Sequence, residues 1–289
     1  MGNLKESELV LAPDGSLYHI HLTGESLADD VVLVGDPGRV EMFKQMFESV
    51  EYESVNREMH ALTGRYRGHR FTVLSTGMGC DNIDIVMTEL DAAANIDLST
   101  RREKPEHRTL NIIRIGTSGS LHADIPCGSL LASAYAVGLD GLMNYYRHDP
   151  ALFETELNSR IVAALDLPQG MAAPYSVAAS GMLLQKVASG MAQGITATAP
   201  GFYAPQGRNI RIAPAMADLN ERLAAFSWNG LRATNLEMET SAIYGFARIM
   251  GHNALTVCLV IANRADGTFL NDYHGLMKDS IAKILDHAL

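Results

Sequence analysis

Cysteine is scarce in this sequence of 289 residues: Cys80, Cys127 and Cys258 are odd in number and far apart, and none forms a C-x-x-C pair. That usage points to a reducing compartment, and the cytoplasm is the expected location. The N-terminal MGNLKESELVLAPDG has scattered charges and no apolar core of signal-peptide length. No segment approaches a membrane-spanning run of about 18 uninterrupted apolar residues. Positive charge is also short. Lys and Arg total 23 against 33 Asp and Glu, a net charge of -10 and a pI of about 5.4. A general nucleic-acid binder would need a basic face, so that class is set aside. A small anionic substrate is not, because arginines gathered in a cleft focus a local positive field. Several motifs are missing too. There is no G-x-x-x-x-G-K-[ST] loop, GMGCDN lacks the third glycine of a dinucleotide fingerprint, and no G-x-S-x-G elbow occurs. His19 and His21, two apart in YHIHLT, fit one face of a strand. No acidic or cysteine cluster joins them, so a metal site is not expected there.

What is present is a core-forming α/β pattern. Hydrophobic residues make up 47% and charged residues 19%, the balance of a globular chain. Short apolar runs at 31–35, 71–77, 110–116, 129–137 and 254–262 read as strands. Helical spacing is expected over 39–47, 82–96 and 237–251, and in the closing HGLMKDSIAKILDHAL. The alternation argues for a largely parallel central sheet. With no internal repeat or low-complexity linker, residues 1–289 read as a single domain. The polar stretch STRREKPEHR (99–108) reads as a solvated connection.

Four strand ends are built alike, as Gly35-Asp36-Pro37-Gly38-Arg39, Thr76-Gly77-Met78-Gly79, Gly116-Thr117-Ser118-Gly119 and Asn263-Arg264-Ala265-Asp266-Gly267. Each reads as a turn beyond a strand, where open α/β sheets bind ligands. Glycines let backbone N–H groups approach an anion, and arginines supply a fork that fits phosphate or carboxylate. Arg114 lies inside the apolar NIIRIG. A buried arginine is costly unless it is paired, so Gly35, Arg39, Arg114 and Thr117 are candidates for one oxyanion pocket.

In order along the chain, GDPGRV, NRE (56–58), STGMG, RIGTSG, FYAPQGR, NLEMET and VIANR resemble the nucleoside phosphorylase family, and within it the uridine phosphorylases. The resemblance covers nearly the whole sequence, with FYAPQGR its most discriminating piece. It implies one α/β domain around a twisted, partly closed mixed β-sheet flanked by helices. It also implies a homo-oligomer, a dimer at least and a hexamer in the family, with active sites shared between subunits. Carried over position by position, Gly35, Arg39, Arg114 and Thr117 bind inorganic phosphate, and Arg57 reaches it from the adjacent subunit. His19, also from the neighbour, touches the ribose 5′-hydroxyl, while Glu237, Met238 and Glu239 bind ribose. Gly119, Phe202, Gln206 and Arg208 form the base site. Gln206, Arg208 and Arg264 stabilise the departing base. No cofactor is required. A potassium ion held by some members corresponds to Glu58, Met78 and Asn82, although serine is usual where Asn82 stands.

The implied reaction is phosphorolysis of uridine, or of deoxyuridine or thymidine, to uracil and a pentose 1-phosphate in pyrimidine salvage. Its transition state carries positive charge on the sugar and negative charge on the base, so the protein has to position and neutralise. A purine nucleoside phosphorylase is the first alternative. Hexameric purine enzymes tend to carry an aspartate where Arg264 stands, and Asp266 is two residues on. A nucleosidase, using water, would not need Arg39, Arg57 and Arg114. A non-catalytic nucleoside-binding protein would be expected to lose those arginines or the ribose glutamate.

Overall fold

A computed structural model describes residues 4–288. The chain divides into two compact units. The first runs to Ile113 and takes in Met250–Asn253; the second comprises Arg114–Ile249 and the chain from Ala254 onward.

In the first unit the elements are β1 (Asp30–Val34), α1 (Pro37–Lys44), β2 (Ser49–Asn56), β3 (Met59–Tyr66), β4 (His69–Ser75), α2 (Cys80–Asn95), β5 (Ile96–Asp97), β6 (Arg102–Glu103) and the start of β7 (Asn111–Ser120). The apolar run of β1 is buried on both faces and pairs in parallel with β4, Val32 opposite Val73. A two-sided burial of this kind is what a continuous Val/Leu run predicts. The antiparallel strands β3 and β2 extend the sheet from β4. GDPGR makes a strand-to-helix turn. Asp36 caps α1, its Oδ1 accepting from the Gly38 N–H at 2.8 Å, and Pro37 opens the helix. Helix α2 buries Ile83, Val86, Met87 and Leu90, the expected 3.6-residue stripe.

Two expectations change here. Residues 99–108 are not merely solvated: Lys104 Nζ donates to the carbonyls of Ala93 and Ala94 near the end of α2, and Arg108 binds Asp29 and the carbonyls of Gly24 and Leu27. Cations at a helix C-terminus satisfy carbonyls that the helix itself leaves open. Nor does YHIHLT form a strand. It is a turn in which His21 has φ +52°.

The second unit holds the rest of β7, then β8 (Leu130–Gly138), α3 (Thr155–Leu165), β9 (Tyr175–Ala178), α4 (Gly181–Val187), β10 (Ala192–Thr198), α5 (Leu219–Ala225), β11 (Ser227–Trp228), β12 (Leu231–Glu237), α6 (Thr240–Met250) but for its last residue, β13 (Asn253–Asn263) but for its first, and α7 (His274–Ala288). The strand order is β11-β12-β10-β8-β13-β7, and β12 also pairs with β7, Leu236 opposite Gly119. Five strands therefore close into a ring, β12-β10-β8-β13-β7. The ring is mixed. β10 runs parallel to β8 and β12, while β13–β8 and β12–β7 are antiparallel. Helices α3 and α5 pack on it through Leu157, Ile161, Leu219 and Leu223, against Val137, Ile195 and Leu236. Among the described residues no helix is long and apolar enough to cross a membrane.

Candidate active site

The second unit gathers most of the expected residues. Three of the four glycine segments are turns, but RIGTSG is not: β7 continues as strand through Ser120. Gly116 is there for space. A Cβ on it would collide with Nη1 of Arg114, whose side chain folds back along the same face of the strand. Arg114 is 4% exposed. Its Nη2 donates to the Glu239 carboxylate, and its Nη1 donates to the Cys258 sulfur at 3.7 Å and lies 3.7 Å from Glu237 Oε2. Burial alone would weaken the charge, but Glu239, Glu237 and Cys258 together outweigh it and hold the guanidinium above its ordinary pKa. Nε is buried without a hydrogen-bond partner among the described residues.

The expected helix over 237–251 begins later. Glu237 is the last residue of β12 and α6 starts at Thr240. The Glu237 carboxylate accepts from Thr198 Oγ1 at 2.6 Å and from the N–H groups of Glu239 and Thr240 at 2.9 Å. It thus caps the helix from outside, where negative charge is favoured. This arrangement presents Glu239 to Arg114, with the half-buried Met238 between the two glutamates.

The base loop is a second cluster. Gln206 is buried at the end of a short 3₁₀ turn, Ala204–Gln206. Arg208 Nη1 donates to Gln206 Oε1 at 2.7 Å and to the Phe202 carbonyl, and its guanidinium lies 3.7 Å from the Phe202 ring centre. One face of Phe202 is therefore covered by Arg208 rather than open. Arg264 Nη2 donates to the Gln206 carbonyl at 3.4 Å, and Arg264 Nε is buried without a partner among the described residues. The stem of Arg264 lies over Gly119, where a Cβ would stand 3.5 Å from it. Burial, then the like charge of Arg264, pulls the Arg208 pKa down to about 10; burial also lowers that of Arg264. Asp266 is occupied elsewhere. Its Oδ1 accepts from the Thr268 N–H and hydroxyl, which hold its carboxyl below the usual range. Thr117 is half-buried on β7.

In the first unit, Arg39 is 7% exposed at the start of α1, a few residues beyond Gly35. His19 and Arg57 come together. Asn56 Nδ2 donates to the carbonyls of Tyr18 and His19, and the Arg57 guanidinium lies 5.9 Å from the Tyr18 ring centre. His19 Nδ1 is bound to Glu89 Oε1 at 2.6 Å, which commits one ring nitrogen. Glu58 and Asn82 both press on Gly77, whereas Met78 is exposed. Potassium takes oxygen ligands, and the Glu58 carboxylate and the Asn82 amide are the side-chain oxygens that these positions offer. Cys258, Thr198 and Glu89 carry no sequence signal as partners of site residues, because each contact is long-range.

A family model described as the phosphorylase superfamily matches residues 29–288. The chain belongs to this superfamily. Among curated relatives of the phosphorylase, a uridine phosphorylase of Thermococcus kodakarensis is 29% identical over 264 residues, covering 89% of this chain and 80% of the relative. A DeoD-type purine nucleoside phosphorylase of Geobacillus stearothermophilus is also 29% identical, over 243 residues, 84% of this chain and 85% of the relative. A solved Trypanosoma brucei nucleoside phosphorylase, described as showing uridine phosphorylase activity, superposes with a TM-score of 0.85 at 28% identity, covering 97% of this chain and 99% of its own.

Proposed function

We propose that this phosphorylase cleaves uridine with inorganic phosphate to give uracil and ribose 1-phosphate. The observation that carries the reading is the pairing of Arg208 and Arg264 around Gln206, with neither guanidinium in an ion pair with a carboxylate among the described residues. Two cations that lean on no carboxylate suit a base that departs as an anion. Uracil spreads that charge over two carbonyls and a ring nitrogen. The Gln206 amide and both guanidiniums stabilise it without a proton donor. A leaving purine is better served by an acid, and Asp266, held ionised by Thr268, is a poor one.

Arg114 and Thr117 are proposed to hold phosphate, and Glu239, with Met238 and Glu237, to orient the ribose hydroxyls. Gly119 and Phe202 complete the base site. Positioning phosphate below the sugar while the base charge is neutralised above it is the whole chemical task; no covalent intermediate is needed. From the resemblance alone, Gly35, Arg39 and Arg57 are proposed as phosphate ligands and His19 as a partner of the ribose 5′-hydroxyl.

Release of free base from uridine and from inosine, each with and without phosphate, tests this. Uracil is expected only with phosphate. Hypoxanthine as the faster product would overturn the base assignment, and phosphate-independent release would make the protein a nucleosidase.

A further inference from the structure

We propose that Cys258 is a positioning residue for Arg114, holding one end of the guanidinium still while its other contacts change during turnover; this rests on the phosphate role assigned to Arg114 above. Cys258 lies on β13, the strand beside β7, and is fully buried. Its sulfur accepts from Nη1 of Arg114 at 3.7 Å, within the range of sulfur hydrogen bonds. Gly116 completes the slot. A Cβ there would run into Nη1 and would stand 3.1 Å from the Cys258 sulfur. One end of the guanidinium is therefore held between a bare stretch of strand and a thiol.

The other acceptors are not permanent. Glu239 is the hydrogen-bond partner of Nη2 through Oε2, and its proposed contact with the ribose hydroxyls draws on the same carboxylate. Phosphate, approaching the same guanidinium, competes with that carboxylate as well. Glu237 lies 3.7 Å from Nη1, too far for a hydrogen bond, and its oxygens are already engaged by Thr198, Glu239 and Thr240. Nε has no hydrogen-bond partner among the described residues. Cys258 is thus the fixed acceptor, among the described residues, that neither substrate displaces. A thiol also suits the task electrostatically. It accepts weakly and leaves the positive charge available for a dianion, whereas a third carboxylate would neutralise the arginine and repel phosphate.

The test begins with uridine cleavage by the wild-type protein. Absence of phosphate-dependent uracil release would overturn the underlying functional reading. With turnover established, kcat and the KM values for phosphate and uridine are measured for Cys258→Ala and Cys258→Val. Loss of one modest hydrogen bond should raise the phosphate KM of Cys258→Ala by about three- to tenfold. The uridine KM and kcat should stay within about twofold. Cys258→Val, which fills the space but offers no acceptor, should show the same rise in phosphate KM. An unchanged phosphate KM in Cys258→Ala overturns the proposal. So does a Cys258→Val enzyme with the wild-type phosphate KM, since that traces the effect to packing. Where Cys258→Ala fails to fold, Cys258→Val carries the test alone.

Discussion

Arg208 is a cation whose surroundings work against its charge. Burial is the first cause, the neighbouring guanidinium of Arg264 the second, and the pKa falls to about 10. Below about 10 the group is protonated and can steady a uracil anion. As the pH climbs through that value the charge is lost, and uridine kcat/KM should fall earlier than an ordinary arginine would dictate. Arg264→Gln removes the like charge, so the Arg208 pKa should rise and the alkaline limb should move to higher pH. A pH–rate profile of both proteins checks this; an unmoved limb would detach it from Arg208. Single residues are legible in the sequence where their chemistry is local. A buried arginine in NIIRIG demands an anion, and Glu239 is the resident one. The thiol of Cys258 is invisible there, because nothing along the chain links position 258 to position 114 until two strands lie side by side.

Among the secondary-structure elements, α1 shows how GDPGR works as a turn before it works as a site. The Asp36 side chain caps this helix through the Gly38 N–H. Asp36→Ala should cost about 1 kcal/mol of stability, read as a lower urea midpoint with an unchanged m-value; no loss would mean that the cap is replaced by solvent. Most apolar runs are strands as expected, and the stripes of α2 and α7 are helices. The departures have separate causes. A glycine that opens a turn and a glycine that makes room for an arginine look alike in sequence, so GTSG reads as a loop although it is strand. Glu237 acts on the start of α6 from the end of a strand, so helical spacing extends three residues too far towards the N-terminus. The hairpin β2–β3, with its mostly exposed β2, offers no apolar run on that strand to betray it.

For the protein taken together, family membership is carried by a match over 29–288, yet identity alone does not choose the base, since uridine and purine relatives reach the same 29%. The choice rests on a few side chains around Gln206. The homo-oligomer with shared sites that the family resemblance implies has its own test. If Arg57 serves a neighbour's phosphate and Arg114 its own, Arg57→Ala and Arg114→Ala proteins are each nearly inactive, but subunits of the two mixed after mild dissociation should recover about a quarter of wild-type activity, the fraction of sites that receive both arginines by chance. No recovery on mixing would place both arginines in one subunit's site.

The ring in the second unit also sets a timetable. The pair of Gly119 with Leu236 joins positions far apart along the chain. During synthesis, β7 and its arginine emerge long before the strand that delivers Glu237 and Glu239. Until β12 arrives, Arg114 lacks both of these carboxylates, and burying it alone would be prohibitive. The arginine must therefore wait in water, and the ring stays open longer still, because β13, which lies between β8 and β7 and brings Cys258, is the last of its strands to be made.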